Sequence, residues 1–381
     1  MNHDPNIGPT QEELNEILQQ TPKEEGGTWS AEDLIRYAEE HPVEPIIDGL
    51  LNVGETLLLH GTEENFKSFF VLQVAESICT ARPLLRGWVV PSKRRVGVVE
   101  TEMHPAGLGE RLGKMFADGG ISSEMLFLSQ AAIEHWRGLN LRGKFEMLEA
   151  WIANHDIEVL IVDTANDFFR GRDNPLDERV VGGFFDRMRK LHLQARILVR
   201  HDRKKKEHDG GAHSNELIRG SARWKEDPET ILYLKRKDKR THEVHMEVGK
   251  LRYGKKPEPQ DLWFDAKCFR LTPLPPVIAV LENGGKSREE LVSECQQRFG
   301  VGGRKVSDML DEEGDFIVRG QEGHKKTLEI DPERAKEAPW HPFLGCHSES
   351  HPPMYIEGGP HIAGGEAMAV AAPASPPEAA E

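Results

Sequence analysis

Apolar runs of strand length recur between residues 55 and 265, at 56–59, 96–99, 159–162, 197–199, 231–234 and 244–248. Between the earlier runs lie segments with helical spacing, at 68–79, 106–116, 144–154 and 178–193. Runs that are continuously apolar rather than alternating read as strands buried on both faces, and the strand–helix rhythm predicts a mostly parallel sheet with helices on either side. Ligands of such sheets bind at the carboxyl ends of the strands.

The flanks follow other patterns. Residues 1–29 are polar with scattered Pro and Gly, with one short helix predicted at 11–20. Ser30 and Asp33 have the spacing of a capping box, which predicts a helix over 31–40. Beyond the sheet, Pro276 starts a short helix and Ser287 with Glu290 forms a second capping box, opening a helix to about Phe299. A turn at 300–303, a third helix at 304–312 and a hairpin with strands at 316–319 and 326–330 complete the segment. Three short helices and a hairpin predict a winged helix–turn–helix, with Arg304 and Lys305 at the start of the recognition helix as DNA contacts. A protein-interaction domain of the same shape is an equal reading. Residues 332–381 are rich in Pro, Gly, Ala, Glu and His without periodicity, a composition that predicts a disordered tail. The domain boundaries that follow are 1–43, 44–272, 273–331 and 332–381.

Composition narrows the class. The chain has 381 residues, 38% hydrophobic and 30% charged, with a net charge of −15. No apolar run approaches the roughly 20 residues that span a bilayer, and the start of the chain has no signal-peptide pattern, so a cytoplasmic protein without membrane contact is expected. Cys79, Cys268, Cys295 and Cys346 lie far apart with no C-x-x-C pair, which fits a reducing compartment and no zinc framework. His341, Cys346, His347 and His351 match no standard metal spacing. The charge is uneven: residues 200–256 hold 17 Lys/Arg against 10 Asp/Glu, a basic strip on an acidic chain. Within it, Arg203, Lys204, Lys205 and Lys206 are the candidate contacts to DNA phosphates, and a solvated basic loop is the plainer reading.

The chemistry centres on the stretch from Leu57 to Ser68. An apolar strand enters a turn at Gly61, and a helix opens with Lys67-Ser68. This is the layout of a phosphate-binding loop, in which Gly61, Thr62, Glu63, Glu64, Asn65, Phe66, Lys67, Ser68 and Phe69 surround the nucleotide. Lys67 is expected on the β- and γ-phosphates of ATP and Ser68 on Mg²⁺. Phe66 stands where the usual pattern has Gly, and Glu63 and Glu64 bring negative charge to an anion site. The strand at 96–99 ends in Glu100-Thr101-Glu102, and Glu102 is preferred over Glu100 as the base that activates water. The strand at 159–162 ends in Asp163, a second metal ligand in the manner of a Walker B element. His201 closes another buried strand and is positioned to sense the γ-phosphate. Lys250 and Arg252 alternate along an extended segment and so point the same way, as basic fingers for a neighbouring subunit's nucleotide.

These motifs, in this order, resemble the RecA-like ATPases of the hexameric helicase group. Within it the chain looks like plasmid RepA-like helicases and phage AAA-domain ATPases, with DnaB-type helicases more distant. The resemblance covers about 46–265. It rests on Gly61 through Phe70, the 81–87 linker, Glu102-Met103 with Leu108 and Arg111, Asp163-Thr164, His201 through Lys204, Arg219-Gly220-Ser221, and Lys250 through Gly254. Departures are Phe66, Glu63-Glu64, Arg200 where a first His is common, and Glu229 where an Asp is usual. The resemblance implies a P-loop NTPase fold and a ring, often hexameric, with nucleotide at subunit interfaces and single-stranded DNA in the central channel. The expected function is an ATP-dependent, DNA-acting ATPase, a ring-forming helicase or translocase of replication or repair. The alternatives are a nucleotide-binding regulatory or DNA-binding module without motor activity, and a structural protein with a decayed site.

Overall fold

The computed structural model describes residues 29–85, 88–117, 122–169, 174–202, 218, 220–282, 284–322 and 325–338. The expectations for the 11–20 helix, for Arg203, Lys204, Lys205, Lys206 and Arg219, and for the segment beyond residue 338 lie outside these residues.

In chain order the strands are β1 (Pro45–Ile47), β2 (Leu51–Asn52), β3 (Thr56–Gly61), β4 (Val96–Glu100), β5 (Met125–Phe127), β6 (Val159–Asp163), β7 (Ala195–His201), β8 (Thr230–Arg236), β9 (Glu243–Leu251), β10 (Gln260–Asp265), β11 (Arg270–Thr272), β12 (Ile317–Glu322) and β13 (Lys325–Ile330). Nine of them form one sheet in the order β11-β10-β9-β8-β3-β7-β6-β4-β5. From β8 through β5 every neighbouring pair is parallel, and β9, β10 and β11 add an antiparallel edge. The mainly parallel α/β sheet matches the sequence pattern; the antiparallel pairing of the edge does not show in it.

Alternate residues of the central strands feed two cores. Leu57, Leu59, Val98, Ile161 and Ile197 pack with the helices Lys67–Thr80 and Pro105–Met115. Leu58, Val99, Leu160, Val162 and Leu198 face the opposite side, where Trp136, Phe145, Leu148, Phe184 and Phe185 cover them from three further helices. That period of two is the pleat of a strand buried on both faces. The helix Lys67–Thr80 buries residues all around its circumference, because it lies between the sheet and the edge strand β11, where Gln73 exchanges hydrogen bonds with the Leu271 backbone at 3.1 Å each.

A third core joins the end of the chain to the sheet. The helices Pro276–Leu281, Arg288–Phe299 and Gly303–Glu312 and the β12–β13 hairpin surround Leu274, Val277, Leu291, Phe299 and Val306, and Trp263 of β10 belongs to the same cluster. Arg298 donates to Asp265 at 2.5 Å with both groups buried. Both capping boxes form as the sequence predicts, Ser30 with Asp33 and Ser287 with Glu290. The hairpin departs from expectation: Gly320 lies inside β12 opposite Thr327 rather than in the turn. A Cβ there would stand 2.8 Å from the Thr327 hydroxyl, so only glycine allows the close pairing. The helix Ala31–Glu40 buries none of its residues, with Leu34 55% and Ile35 61% exposed.

Candidate nucleotide site

The loop between β3 and the helix Lys67–Thr80 is shaped from beneath. Gly61 passes so close to β8 that a Cβ would collide with the Leu234 carbonyl oxygen. Asn65 then pins the loop. Its Nδ2 donates to Thr62 Oγ1 at 2.8 Å and to Leu234 O at 3.1 Å, and its Oδ1 accepts the Arg236 N–H at 3.0 Å. Asn65 is 5% exposed, so its side chain sets the loop's shape and its backbone remains for a ligand.

Phe66 sits at the helix N-cap in the left-handed region, φ 60°. A non-glycine residue there costs about 1–2 kcal/mol. Its ring stacks on Phe264 of β10, with centroids 4.2 Å apart and planes at 13°, and Arg236 lies 5.3 Å over it. Aromatic stacking of this kind contributes about 0.5–1.5 kcal/mol beyond burial, which offsets the backbone conformation. The side chain is therefore drawn to the antiparallel edge of the sheet. Phe69, expected at the nucleotide, joins the same cluster, 4.7 Å from Phe264 and 5.3 Å from Phe269. Glu63 and Glu64 are exposed. No side chain caps the start of this helix, unlike the helices opened by Ser30, Ser129, Asn140, Asp177 and Ser287. Its first amide groups are left for an anion, where the helix dipole adds to the attraction.

Lys67 is 4% exposed and donates to Thr62 O at 2.7 Å. Burial holds its ammonium below the ordinary value, with nearby Asp163 the largest opposing influence. Its Nζ also lies 3.2 Å from His201 Nδ1. An ammonium only donates, so Nδ1 accepts and the ring proton sits on Nε2, 3.5 Å from Glu102 Oε1. His201 thus stands between the lysine and the glutamate, and register places it beside Gly61. Below these tips His60 and Asp202 form a buried pair at 2.9 Å, and the Asp202 N–H donates to Gly61 O at 3.1 Å.

Asp163 ends β6 and is 3% exposed. Burial raises its pKa, and the Ser68 hydroxyl that hydrogen-bonds it is the largest influence the other way. Asp163 Oδ2 is buried with no hydrogen-bond partner. A buried, unpaired carboxylate oxygen beside a hydroxyl and an uncapped helix start fits a hard divalent cation bound with a phosphate. Glu100 pairs in register with Asp163 on the adjacent strand. Burial, then the Asp163 charge, pushes its carboxyl up to about 7. Its Oε1 accepts the N–H groups of Glu102 at 2.9 Å and Met103 at 3.1 Å, so Glu100 shapes the turn from which Glu102, 57% exposed in its side chain, reaches outward.

Lys67, Ser68, Asp163, Glu102 and His201 therefore meet at one set of strand tips. Lys250 and Arg252 do not join them. Lys250 pairs with Ile231, which pairs with Leu58, so both fingers lie toward the amino end of β3. Lys250 Nζ donates to the carbonyls of Lys225 at 3.1 Å, Glu226 at 2.7 Å and Pro228 at 2.6 Å. The free finger expected from the sequence is, for Lys250, a cap on the short helix Arg223–Glu226 of its own chain. Arg252 is 47% exposed and lies 3.3 Å from Glu229 Oε1. Lys305, expected to face DNA, is 2.7 Å from Glu243 and 4.7 Å over the Trp263 ring, so its charge docks the third helix on the sheet; Arg304 is exposed.

One residue near the site was absent from the expected set. Arg111 lies 3.8 Å over the Phe69 ring, with Glu100 and Asp163 acting on its charge and its Nη1 buried without a hydrogen-bond partner. The Glu102-to-Arg111 step in the sequence was the available signal for it.

Residues 20–207 match a family model described as an AAA domain. No curated protein sequence matches the chain. Among solved structures, the ATPase domain of a phage helicase is similar at 12% identity, covering 58% of this chain and 85% of that one, with a TM-score of 0.44. A KaiC-like protein, PH0186 from Pyrococcus horikoshii OT3, is similar at 12% identity, covering 60% of this chain and 94% of that one, also with a TM-score of 0.44. Family match, motif order and the tips of one mainly parallel sheet agree: the chain carries an AAA domain of the RecA-like P-loop ATPase type.

Proposed function

We propose that the protein is a ring-forming, ATP- and Mg²⁺-dependent ATPase acting on DNA, a helicase or translocase. The observation that carries this reading is the convergence of Lys67, Asp163, His201 and Glu102 at the carboxyl ends of β3, β6, β7 and β4. The amide groups ahead of Lys67 and its ammonium hold the phosphates. Ser68 and Asp163 hold the metal, which when bound offsets charge on the β- and γ-phosphates. Glu102 accepts the proton of the attacking water. His201, touching both Lys67 and Glu102, relates the lysine to the base. Arg252, exposed at the opposite end of the sheet, supports completion of a neighbour's site. Arg203, Lys204, Lys205 and Lys206 are the proposed contacts to single-stranded DNA, with Arg304 a second contact if the three helices and hairpin act as a winged helix.

The test is steady-state ATP turnover with and without single-stranded DNA, for the wild type and Lys67→Ala. DNA-stimulated turnover in the wild type, reduced at least about 100-fold in the variant, is expected. Lys250, spent on its own chain, favours a second reading in which nucleotide orders a regulatory module. Retained nucleotide binding with no turnover supports that module and rejects the motor.

A further inference from the structure

We propose that Thr101 is a positioning residue that locks the Glu102 turn onto the tip of the Asp163 strand. The proposal rests on the ATPase reading of the site. Thr101 stands between Glu100 and Glu102 and is 2% exposed. Its N–H donates to Asp163 O at 2.9 Å, one step beyond the Glu100–Asp163 pair that ends the β4–β6 ladder. Its hydroxyl donates to the same carbonyl at 3.3 Å and accepts the Thr164 N–H at 3.3 Å. Its carbonyl accepts from Arg137 Nη2 at 2.7 Å, and Arg137 comes from the helix Gln130–Gly138.

All the polar groups of this residue are thus engaged, and three of the four bonds go to the backbone of Asp163 and Thr164. A strand normally loosens past its last ladder pair. Here the next residue is stitched to the neighbouring strand by main chain and side chain together, and held from behind by a guanidinium. The peptide that leaves Thr101 sets the direction of Glu102. The carbonyl that holds Thr101 belongs to the residue whose carboxylate faces the metal. The base and the metal ligand therefore keep a fixed separation through buried hydrogen bonds, which are costly to leave unmade. An apolar residue of the same shape fills this space equally well, so the hydroxyl is there for its bonds. Misplacement of a reacting group by about 1 Å costs on the order of 100-fold in rate. Substrate binding, by contrast, depends on the loop ahead of Lys67, which Thr101 does not touch in any of these bonds.

The experiment measures ATP turnover, binding of a fluorescent ATP analogue with Mg²⁺, and thermal melting for the full chain. The variants are Thr101→Val, Thr101→Ser, Arg137→Met and Glu102→Gln. Thr101→Val and Arg137→Met are expected to lower kcat by about 10- to 100-fold while KM and analogue affinity stay within about twofold. Thr101→Ser, which keeps the hydroxyl, is expected within about threefold of wild type. Wild-type turnover in Thr101→Val overturns the proposal. So does a Thr101→Ser variant as impaired as Thr101→Val, or a fall in kcat that is matched by a fall in affinity. If Thr101→Val does not fold, Arg137→Met decides by the same split, and an unchanged kcat there overturns it. Failure of the underlying reading looks different: Glu102→Gln then keeps its turnover, whereas failure of the clamp alone leaves Glu102→Gln inactive and Thr101→Val active.

Discussion

Phe66 holds a left-handed backbone that glycine adopts freely, and it does so because its ring has a partner in Phe264. Two effects oppose each other there, so two substitutions separate them. Phe66→Ala loses the stack and keeps the unfavourable φ, and should destabilise by about 2 kcal/mol. Phe66→Gly loses the same stack but relieves the backbone, and should be about 1 kcal/mol more stable than the alanine variant in urea unfolding. The reverse order would show that the ring, not the backbone, dominates. Glu100 supplies a pH test. Its folded value is raised from 4.5 to about 7, so the folded protein binds the proton more tightly than the unfolded chain. The resulting stability is fully present below about 4.5 and is lost as pH rises through about 7. Without nucleotide, Glu100→Gln should therefore melt above the wild type at about pH 8, with the gap closing below about pH 5. A gap independent of pH would place the ionised carboxylate in a better environment than its burial beside Asp163 implies.

At the scale of elements, the three C-terminal helices are bound to the sheet by a buried ion pair and a shared core. Arg298 and Asp265 are 5% and 1% exposed, and Arg298 also reaches Ala279 O at 3.3 Å. Removing one partner leaves a buried charge uncompensated, so Arg298→Met should cost about 3–5 kcal/mol by chemical denaturation. An unchanged midpoint would mean that the helices pack independently of the pair. The same contact explains Lys305. A helix whose first turn lies against Trp263 and Glu243 offers its later turns and the hairpin, rather than its start, to a partner.

At the scale of the whole molecule, Lys67 and Arg252 lie toward opposite ends of the central strands, so one chain does not bring both to one phosphate. In a ring each site takes its loop from one subunit and its Arg252 from the next. Lys67→Ala and Arg252→Ala should each bind a neighbour but turn over ATP poorly. Mixing them should restore part of the turnover, because an Arg252→Ala loop facing a Lys67→Ala finger is complete. Activity no greater than the mean of the separate variants would reject the shared site. Affinity for single-stranded DNA should also fall steeply with salt, since an acidic chain of net charge −15 reaches phosphates only through local basic segments.

By itself the sequence determined what short-range chemistry controls. Continuous apolar runs marked the central strands, Ser-x-x-acid spacing marked two helix starts, and Gly61, Lys67, Ser68 and Asp163 marked the nucleotide because their roles depend on local order along the chain. Tertiary structure decided what depends on distant partners. Lys250 alternates with Arg252 in the sequence, yet carbonyls more than 20 residues away engage its ammonium. Glu100 and Glu102 are both strand-end acids, and only pairing with β6 buries the first and leaves the second free to face His201. Phe66 looks like a defect in a glycine position until β10 brings Phe264 beneath it. Local sequence fixes backbone preference, whereas burial and charge at a side chain are set by whatever the fold places beside it.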